Sequence, residues 1–269
     1  MNAPNRPELS QDTELPLMQV RGLTRYFGAR PGCIDVSFDV FAGEVLAIVG
    51  ESGSGKSTLL SLISAQLKPD QGAVHYQMRD GVNRNVLELN EAEQRLLMRT
   101  DWGFVHQDPA MGLRMGISAG ANIGERLMAI GARHYGDIRS AAQSWLTCVE
   151  IEPDRIDDLP KAFSGGMRQR LQFARNLVTQ PRLIFMDEPT GGLDVSVQAR
   201  LLDLLRELAA NLGLAVIIVT HDLGVARILS HRILVMRRGR VIEQGLTDQV
   251  LDDPQEPYTQ LLVSSILQA

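Results

Sequence analysis

Apolar residues follow two patterns along the chain. Short, continuous apolar runs occur at residues 45–49, 183–186 and 214–219, and such runs are typical of strands buried on both faces. Apolar positions recur with the helical period over residues 58–66 and 197–208. Because strands that alternate with helices form crossover units, these elements predict a mainly parallel sheet flanked by helices.

The remaining segments carry other patterns. Residues 18–23 and 33–41 predict two strands, the second alternating as in an antiparallel sheet. Residues 233–236 and 240–243 predict a hairpin near the C-terminus. Residues from about 92 to 180 are mostly helix-periodic, which predicts a helical insertion into the sheet-forming chain.

Composition limits the class of protein. The 269 residues correspond to one large or two small domains, and the net charge of −5 argues against a broad nucleic-acid interface. Cys33 and Cys148 lie far apart, so neither a disulfide framework nor a cysteine zinc site is expected. No apolar run approaches the length of about 18 residues that crosses a bilayer, and residues 1–16 lack a signal-peptide core. We therefore expect a cytoplasmic protein without direct membrane insertion.

Residues 50–57, GESGSGKS, match the pattern G-x-x-x-x-G-K-S/T of a phosphate-binding loop. Glycines let successive backbone N–H groups converge on phosphate oxygens, and the following helix adds its positive N-terminal dipole. In such a loop Lys56 reaches the β- and γ-phosphates, while the Ser57 hydroxyl binds Mg²⁺. A chance match is the alternative, which the predicted strand before this phosphate loop and the helix after it disfavour.

Two adjacent acids follow the apolar run at residues 183–186. Asp187 and Glu188 would stand at the C-terminal end of a buried strand, where open α/β sheets bind ligands. There Asp187 would hold Mg²⁺ through water, and Glu188 would polarise the attacking water of a hydrolysis. Taken alone, the pair could equally be two solvated acids, but together with the phosphate loop it indicates a nucleotide-hydrolysing site.

A third motif, FSGGMRQR, spans residues 163–170. Ser164 predicts a helix N-cap, and Gly165 and Gly166 permit close approach of a ligand to the first turn. Exposed N–H groups at a helix N-terminus form an anion site. A plain capped helix is the alternative, and this motif alone would favour it.

These motifs, in this order, resemble those of ATP-binding cassette (ABC) ATPases, and the similarity covers nearly all of residues 17–250. Gln107 matches the family's Q-loop, residues 192–194 its D-loop and His221 its switch histidine. Residues 164–167, SGGM, occupy the position of the family's signature and are named here the signature segment. Its last residue is a methionine where many members carry glutamine, which leaves the Ser-Gly-Gly anion site intact.

The resemblance implies roles for individual residues. Glu188 and His221 would be catalytic. Residues implied to hold Mg²⁺ are Ser57, Gln107 and Asp187. Residues implied to bind ATP are Phe27, Gly50, Ser52, Gly53, Ser54, Gly55, Lys56, Ser57, Thr58, Ser164, Gly165, Gly166, Met167 and Asp194. Phe27 is placed like the aromatic residue that stacks on adenine, with Tyr26 as the alternative.

The resemblance also implies a fold and an assembly. The expected fold is α/β, a P-loop NTPase of the ABC type with a mainly parallel sheet flanked by helices, an antiparallel β subdomain and a helical insertion subdomain. The expected organisation is a tail over residues 1–16, the ATPase domain over 17–250 with its helical subdomain at roughly 92–180, and a short tail over 251–269. Two cassettes pair head to tail around ATP, and the second is either an identical chain or a different ABC protein.

Three stretches indicate the partner. Residues 118–143, 188–206 and 252–268 resemble the ABC component of the bacterial carbon–phosphorus lyase system, which breaks down phosphonates. This implies a cytosolic ATPase that docks on soluble lyase core subunits. The alternatives are the ATPase subunit of a membrane importer for phosphonates or oligopeptides, and a nucleotide-binding assembly module that hardly turns over. The oligopeptide ATPases usually continue into a cysteine-containing extension, which we do not expect here.

Overall fold

The computed structural model describes residues 15–266. The strands are β1 (Met18–Phe27), β2 (Arg30–Val40), β3 (Val45–Val49), β4 (Gln71–Gln77), β5 (Asn83–Asn85), β6 (Trp102–Val105), β7 (Leu183–Asp187), β8 (Ala215–Thr220), β9 (Arg232–Arg237) and β10 (Arg240–Leu246). The helices are α1 (Lys56–Ile63), α2 (Glu91–Thr100), α3 (Pro109–Gly112), α4 (Ala119–Ala129), α5 (Tyr135–Cys148), α6 (Gly165–Leu177), α7 (Val195–Leu212), α8 (Leu223–Leu229), α9 (Thr247–Asp252) and α10 (Pro257–Ile266). None of these helices is long and apolar enough to cross a bilayer.

A six-stranded sheet lies at the centre, in the order β10-β9-β3-β8-β7-β6. The five strands from β9 to β6 run parallel, and β10 pairs antiparallel with β9 in the expected terminal hairpin. Every residue of β3 and β8 is buried, as the continuous apolar runs predict for strands covered on both faces. The expected mainly parallel α/β fold is confirmed.

A second, four-stranded sheet has the order β2-β1-β4-β5 and is antiparallel throughout. It confirms the expected antiparallel β subdomain. β1 and β2 correspond to the two predicted strands, whereas β4 and β5 carry no clear apolar alternation in the sequence. Only two residues of β4, Val74 and Tyr76, are buried, and this limited pattern explains why β4 was not predicted.

Alternate residues of β3 face two separate cores. Leu46 and Ile48 pack with α1 and the four-stranded sheet. Ala47 and Val49 pack on the opposite face with residues of α6, α7 and α8. Each large side chain buried in this way stabilises the fold by about 1.5–3 kcal/mol. The first strand of the central sheet is thus fixed in register, and so is the phosphate loop that follows it.

Residues from about 92 to 180 were predicted to be mostly helical, and one segment in this range is a strand that was not predicted. Residues Trp102–Val105 form β6, a strand of the central sheet that pairs with β7. This strand has only four residues and lies directly after α2, so no period of two can be recognised in the sequence. The helices α3 to α6 that follow β6 pack against one another and confirm a helical subdomain.

The structure describes most of the predicted C-terminal tail but only the last two residues of the predicted N-terminal tail. Of the predicted tail over residues 1–16, residues 1–14 lie outside the described part. The predicted C-terminal tail contains the ten-residue helix α10, which is longer than the one or two turns expected. Tyr258 on this helix is buried against the domain.

Asp101 joins the two sheets. Its buried carboxylate accepts a hydrogen bond of 2.8 Å from the Tyr76 hydroxyl on β4. The same carboxylate forms ion pairs with Arg79 at 2.6 Å and with Arg182 at 2.6 Å. This carboxylate is the shared counter-charge of two arginines. Its removal would leave both cations without that partner, which is strongly destabilising at a buried site.

We expect Asp101→Asn to lower the free energy of unfolding by about 2–3 kcal/mol, the contribution of hydrogen bonds to a charged group. Urea titration followed by circular dichroism measures this loss. Asp80→Asn is the matched control, because Asp80 stands in an exposed ion pair and its loss should change stability by less than about 1 kcal/mol. Equal effects of the two variants would contradict a structural role for Asp101.

Candidate functional site

The phosphate loop runs from the end of β3 into the first turn of α1. Gly50, Gly53 and Gly55 adopt positive φ angles of 147°, 79° and 108°. A Cβ atom at Gly50 would lie 2.3 Å from the carbonyl oxygen of Met236, and one at Gly55 would lie 2.2 Å from that of Gly32. The loop therefore requires glycine for its backbone conformation and for its close contact with neighbouring segments.

Lys56 lies inside this loop and is buried. Its Nζ donates hydrogen bonds to the carbonyl oxygens of Gly50, at 2.8 Å, and Glu51, at 2.9 Å. Burial lowers the pKa of Lys56, while the nearby carboxylates of Glu188 and Asp187 act in the opposite direction. The ammonium group is thus held at the end of the central sheet, where it can bind an anion.

Asp187 ends β7 directly beside the phosphate loop. The Ser57 hydroxyl donates to its Oδ1 at 3.3 Å. Burial raises the pKa of Asp187, the hydrogen bond from Ser57 lowers it, and the charge of Glu188 raises it again. A hydroxyl and a partly desolvated carboxylate form an oxygen donor pair, which fits Mg²⁺ when phosphate oxygens supply further ligands.

Glu188 and His221 form a pair next to Asp187. The Oε1 atom of Glu188 lies 2.9 Å from Nδ1 of His221. Glu188 adopts a left-handed φ of 43°, and its N–H donates to the Val219 carbonyl at 2.9 Å, so its backbone is fixed at the sheet edge. The His221 side chain is 65% exposed whereas that of Glu188 is only 19% exposed. The pair can therefore orient a water molecule that enters from the exposed side.

Gln107 follows β6 and reaches the same edge of the sheet. Val105 of β6 lies opposite Met186 of β7, so the residues after these two strands extend side by side. A Cβ atom at Gly191 would lie 3.1 Å from Nε2 of Gln107, which places the amide against the loop that follows Glu188. A cavity of about 260 Å³ opens between this loop, Gln107 and the start of α6.

The signature segment begins α6 in the helical subdomain. The Ser164 hydroxyl accepts a hydrogen bond from the Met167 N–H at 3.2 Å, which is the predicted N-cap. A Cβ atom at Gly166 would lie 2.6 Å from Val197 of α7, so this glycine is required for helix packing. A Cβ at Gly165 would have only one neighbour within 4 Å, at 3.9 Å, which leaves this turn open to a ligand.

The Asp194 side chain forms hydrogen bonds within the first turn of the helix that it precedes. Its carboxylate caps α7 by accepting from the Val197 N–H at 3.0 Å and from the Ser196 hydroxyl at 2.8 Å. These two hydrogen bonds, the first of them the stronger cause, lower the pKa of Asp194. No hydrogen bond in residues 15–266 joins Asp194 to the phosphate loop, so its assignment to the ATP site stays a prediction.

Phe27 ends β1 close to the first turn of α1. A Cβ atom at Gly32 would lie 2.8 Å from the Phe27 ring and 2.9 Å from Cγ2 of Thr58. The ring and the threonine side chain therefore both lie next to Gly32. The Arg25 guanidinium lies 5.4 Å from the centre of this ring. The ring is about half exposed, as a stacking surface for a base requires. Tyr26 is also exposed, so the choice between the two aromatic residues stays a prediction.

The other predicted residues of the phosphate loop differ in exposure. Ser52 and Gly53 are exposed. Ser54 is buried, and its hydroxyl has no hydrogen-bond partner among the described residues. The side chain of Ser54 is therefore turned away from the exposed surface on which we expect ATP.

The structure brings the predicted site residues together in two groups. The phosphate loop, Asp187, Glu188, His221 and Gln107 meet at the carboxyl edge of the central sheet. The signature segment lies on the helical subdomain, and no hydrogen bond or ion pair in the described part of the chain connects it to the phosphate loop. The start of α6 does share the lining of one cavity with Gln107 and residues 191–193.

Three amide residues of α6 were not singled out from the sequence. Gln172 accepts from the His106 N–H at 2.7 Å and donates to its carbonyl at 3.1 Å, and Gln169 donates to the same carbonyl at 3.2 Å. Asn176 forms two hydrogen bonds with the backbone of Phe104. These amides cover the edge of β6 and connect the signature helix to the strand before Gln107. Their i, i+3, i+7 spacing, on one helix face, was the available signal.

Residues 33–191 match the protein-family model described as ABC transporter. The chain is 66% identical to the phosphonates utilization ATP-binding protein PhnK of Escherichia coli (strain K12), over 94% of this chain and 98% of that protein. It is 37% identical to the dipeptide transport ATP-binding protein DppD of Bacillus subtilis (strain 168), over 90% of this chain and 73% of that protein.

Two solved structures are similar over most of the chain. One is the dimeric post-hydrolysis state of the ATP-binding cassette MJ0796 bound to ADP and Pi, with a TM-score of 0.75, 30% identity and coverage of 86% of this chain and 98% of that one. The other is cbiO1 from Clostridium perfringens, part of the ABC transporter complex cbiONQ, with a TM-score of 0.77, 29% identity and coverage of 89% and 92%.

Proposed function

Because the chain belongs to the ABC transporter family, whose cassettes bind ATP with Mg²⁺ and hydrolyse it, we propose that it is the ATPase of a phosphonate-utilisation system and docks on a soluble carbon–phosphorus lyase complex. The observation that carries the proposal is the 66% identity to PhnK over nearly the whole of both chains. The identity to the dipeptide transport protein DppD is lower, at 37%, so it supports the importer alternative less strongly.

The phosphate loop binds the β- and γ-phosphates of ATP. Lys56 uses two of its three N–H groups on the carbonyl oxygens of Gly50 and Glu51 and donates the third to phosphate oxygens, and the backbone N–H groups at the start of α1 add further donors. Ser57, Asp187 and Gln107 are the residues that hold Mg²⁺, which neutralises charge on the phosphates when bound. Phe27 stacks on the adenine.

Glu188 is the base of the hydrolysis. Its carboxylate accepts a proton from the water that attacks the γ-phosphate, and its rigid backbone keeps it at the end of the sheet. His221, 2.9 Å from this carboxylate, donates to the γ-phosphate and helps to orient the water. Catalysis here is positioning and charge stabilisation.

The second half of the ATP site comes from a second copy of the chain. Each chain carries both a phosphate loop and a signature segment, so two copies in head-to-tail arrangement form two equal sites. In one copy, the N–H groups of Ser164, Gly165 and Gly166 donate to the γ-phosphate of the ATP that is bound to the other copy. Met167 of the same signature segment lies beside these donors. Asp194, at the start of α7, lies next to this contact. ATP binding then closes the dimer and hydrolysis reopens it.

The helical subdomain is the docking side. Three exposed large apolar residues lie near the junction of α4 and α5, within the stretch whose sequence resembles the lyase-associated ABC component: Met128 near the end of α4, Ile130 directly after it, and Tyr135 at the start of α5. All three fall within residues 128–135, and a group of exposed apolar residues favours a protein partner. The amides of α6 connect this subdomain to the strand before Gln107, so nucleotide binding can change the docking side.

Purification of the tagged chain from phosphonate-grown cells without detergent tests the docking. We expect soluble lyase subunits to co-purify, and the double variant Ile130→Glu, Tyr135→Glu to lose them while it still binds ATP, because two charges cannot be buried in an apolar contact. Glu207→Gln, an exposed change on α7, is the control and should keep them.

Recovery only with an integral membrane permease in detergent would contradict the proposal and favour the importer alternative. A complex with lyase subunits that binds ATP and releases no phosphate would instead favour the assembly module.

A further inference from the structure

The C-terminal helix α10 reaches the phosphate loop. The Tyr258 hydroxyl on this helix accepts a hydrogen bond of 3.0 Å from the N–H of Glu51. Glu51 is the second residue of the phosphate loop. The resemblance to ABC ATPases gives no role to Tyr258, which lies beyond the expected end of the ATPase domain at residue 250.

This contact acts on one particular peptide unit. The carbonyl of Gly50 and the N–H of Glu51 belong to the same planar peptide group. The carbonyl accepts from Lys56 Nζ at 2.8 Å, and the N–H donates to Tyr258 at 3.0 Å. The peptide is therefore held from both sides, and its carbonyl is one of the two that hold the Lys56 ammonium.

Tyr258 is itself held in place. Its side chain is buried, and the Arg237 guanidinium at the end of β9 lies 4.6 Å from the centre of its ring. The Glu243 carboxylate on β10 accepts hydrogen bonds from the N–H groups of Gln255, at 2.8 Å, and Glu256, at 3.2 Å, just before α10 begins. The position of the hydroxyl thus depends on the terminal hairpin and on α10 together.

We propose that Tyr258 is a positioning residue for Lys56, so that the C-terminal helix is part of the ATP site. The inference rests on the proposed role of Lys56 in binding phosphates. The hydroxyl fixes the peptide between Gly50 and Glu51 and keeps the ammonium aligned with the incoming β- and γ-phosphates. Without this hydrogen bond the peptide can rotate, and Lys56 has to be ordered when ATP binds.

Titration calorimetry of the full-length chain with MgATP tests the proposal. We expect Tyr258→Phe to bind MgATP about three- to tenfold more weakly, the contribution of about one hydrogen bond. The ring and its contact with Arg237 remain in this variant. Thr259→Val is the matched control: the Thr259 hydroxyl is buried on the same helix and has no hydrogen-bond partner among the described residues, so its loss should leave affinity unchanged.

The melting temperature without nucleotide reports the stability of the fold, whereas the proposal concerns the affinity for MgATP, so both are measured for each variant. Tyr258→Phe with unchanged MgATP affinity, whether or not it melts earlier, would overturn the proposal. Glu243→Ala loosens the start of α10 with the phenol still present, and we expect it to weaken MgATP binding in the same direction. If Tyr258→Phe fails to fold, wild-type affinity in Glu243→Ala overturns the proposal. Failure of the unmodified chain to bind MgATP would instead contradict the proposed function.

Discussion

The Glu188→Gln variant is expected to release phosphate about 10²- to 10⁴-fold more slowly than the unmodified chain, the usual contribution of a general base. Glutamine has the shape of glutamate and can keep a hydrogen bond to His221, but it cannot accept the proton of the attacking water. ATP binding should be unchanged, because Lys56 and the phosphate loop are untouched. Phosphate release under saturating MgATP measures the effect.

Glu207→Gln is the control for this prediction, because it makes the same chemical change at an exposed position of α7. Since the blocked variant holds ATP without hydrolysing it, light scattering should find it as a dimer in MgATP and as a monomer without nucleotide. Phosphate release at the unmodified rate would contradict the assignment of Glu188 as the base.

Two further substitutions should each abolish turnover for a different reason. Lys56→Ala is expected to weaken ATP binding about 10- to 100-fold, because a charge-assisted hydrogen bond to the phosphates is lost. Gly165→Asp is expected to bind ATP normally in the monomer and to fail in dimer closure, because its carboxylate would face the γ-phosphate of the second copy. Calorimetry and phosphate release measure the two steps.

Both variants should fold. A Cβ at Gly165 meets only Leu193, at 3.9 Å, and an acidic side chain is favourable in the first turn of a helix. Lys68→Ala, at an exposed position after α1, is the control for the loss of a lysine. Unchanged ATP affinity in Lys56→Ala would contradict the assigned role of the phosphate loop.

Local sequence signals were sufficient for the central sheet. The runs around β3, β7 and β8 are continuous and apolar, because both faces of these strands are covered, and this pattern has no competing interpretation at that length. The glycines of the phosphate loop were also recognisable, since positive φ angles and close backbone contacts leave no alternative residue at Gly50 or Gly55.

Features that depend on distant contacts could not be predicted. β6 is a strand because it pairs with β7 and because amides of α6 cover its other edge, and neither partner is near it in sequence. In the sequence Gln172 resembles an ordinary polar residue of an amphipathic helix, yet its side chain is fully buried against the backbone of His106. Tyr258 lies 207 residues from the Glu51 N–H that it contacts, so only the folded chain reveals this pair.

An equimolar mixture of Lys56→Ala and Gly165→Asp chains tests the central claim most directly. A mixed dimer contains one site with an intact phosphate loop from one chain and an intact signature segment from the other, and one site with both defects. If two chains enclose each ATP, the mixture will release phosphate although neither variant does so alone. A mixture as inactive as its two components would contradict the shared site.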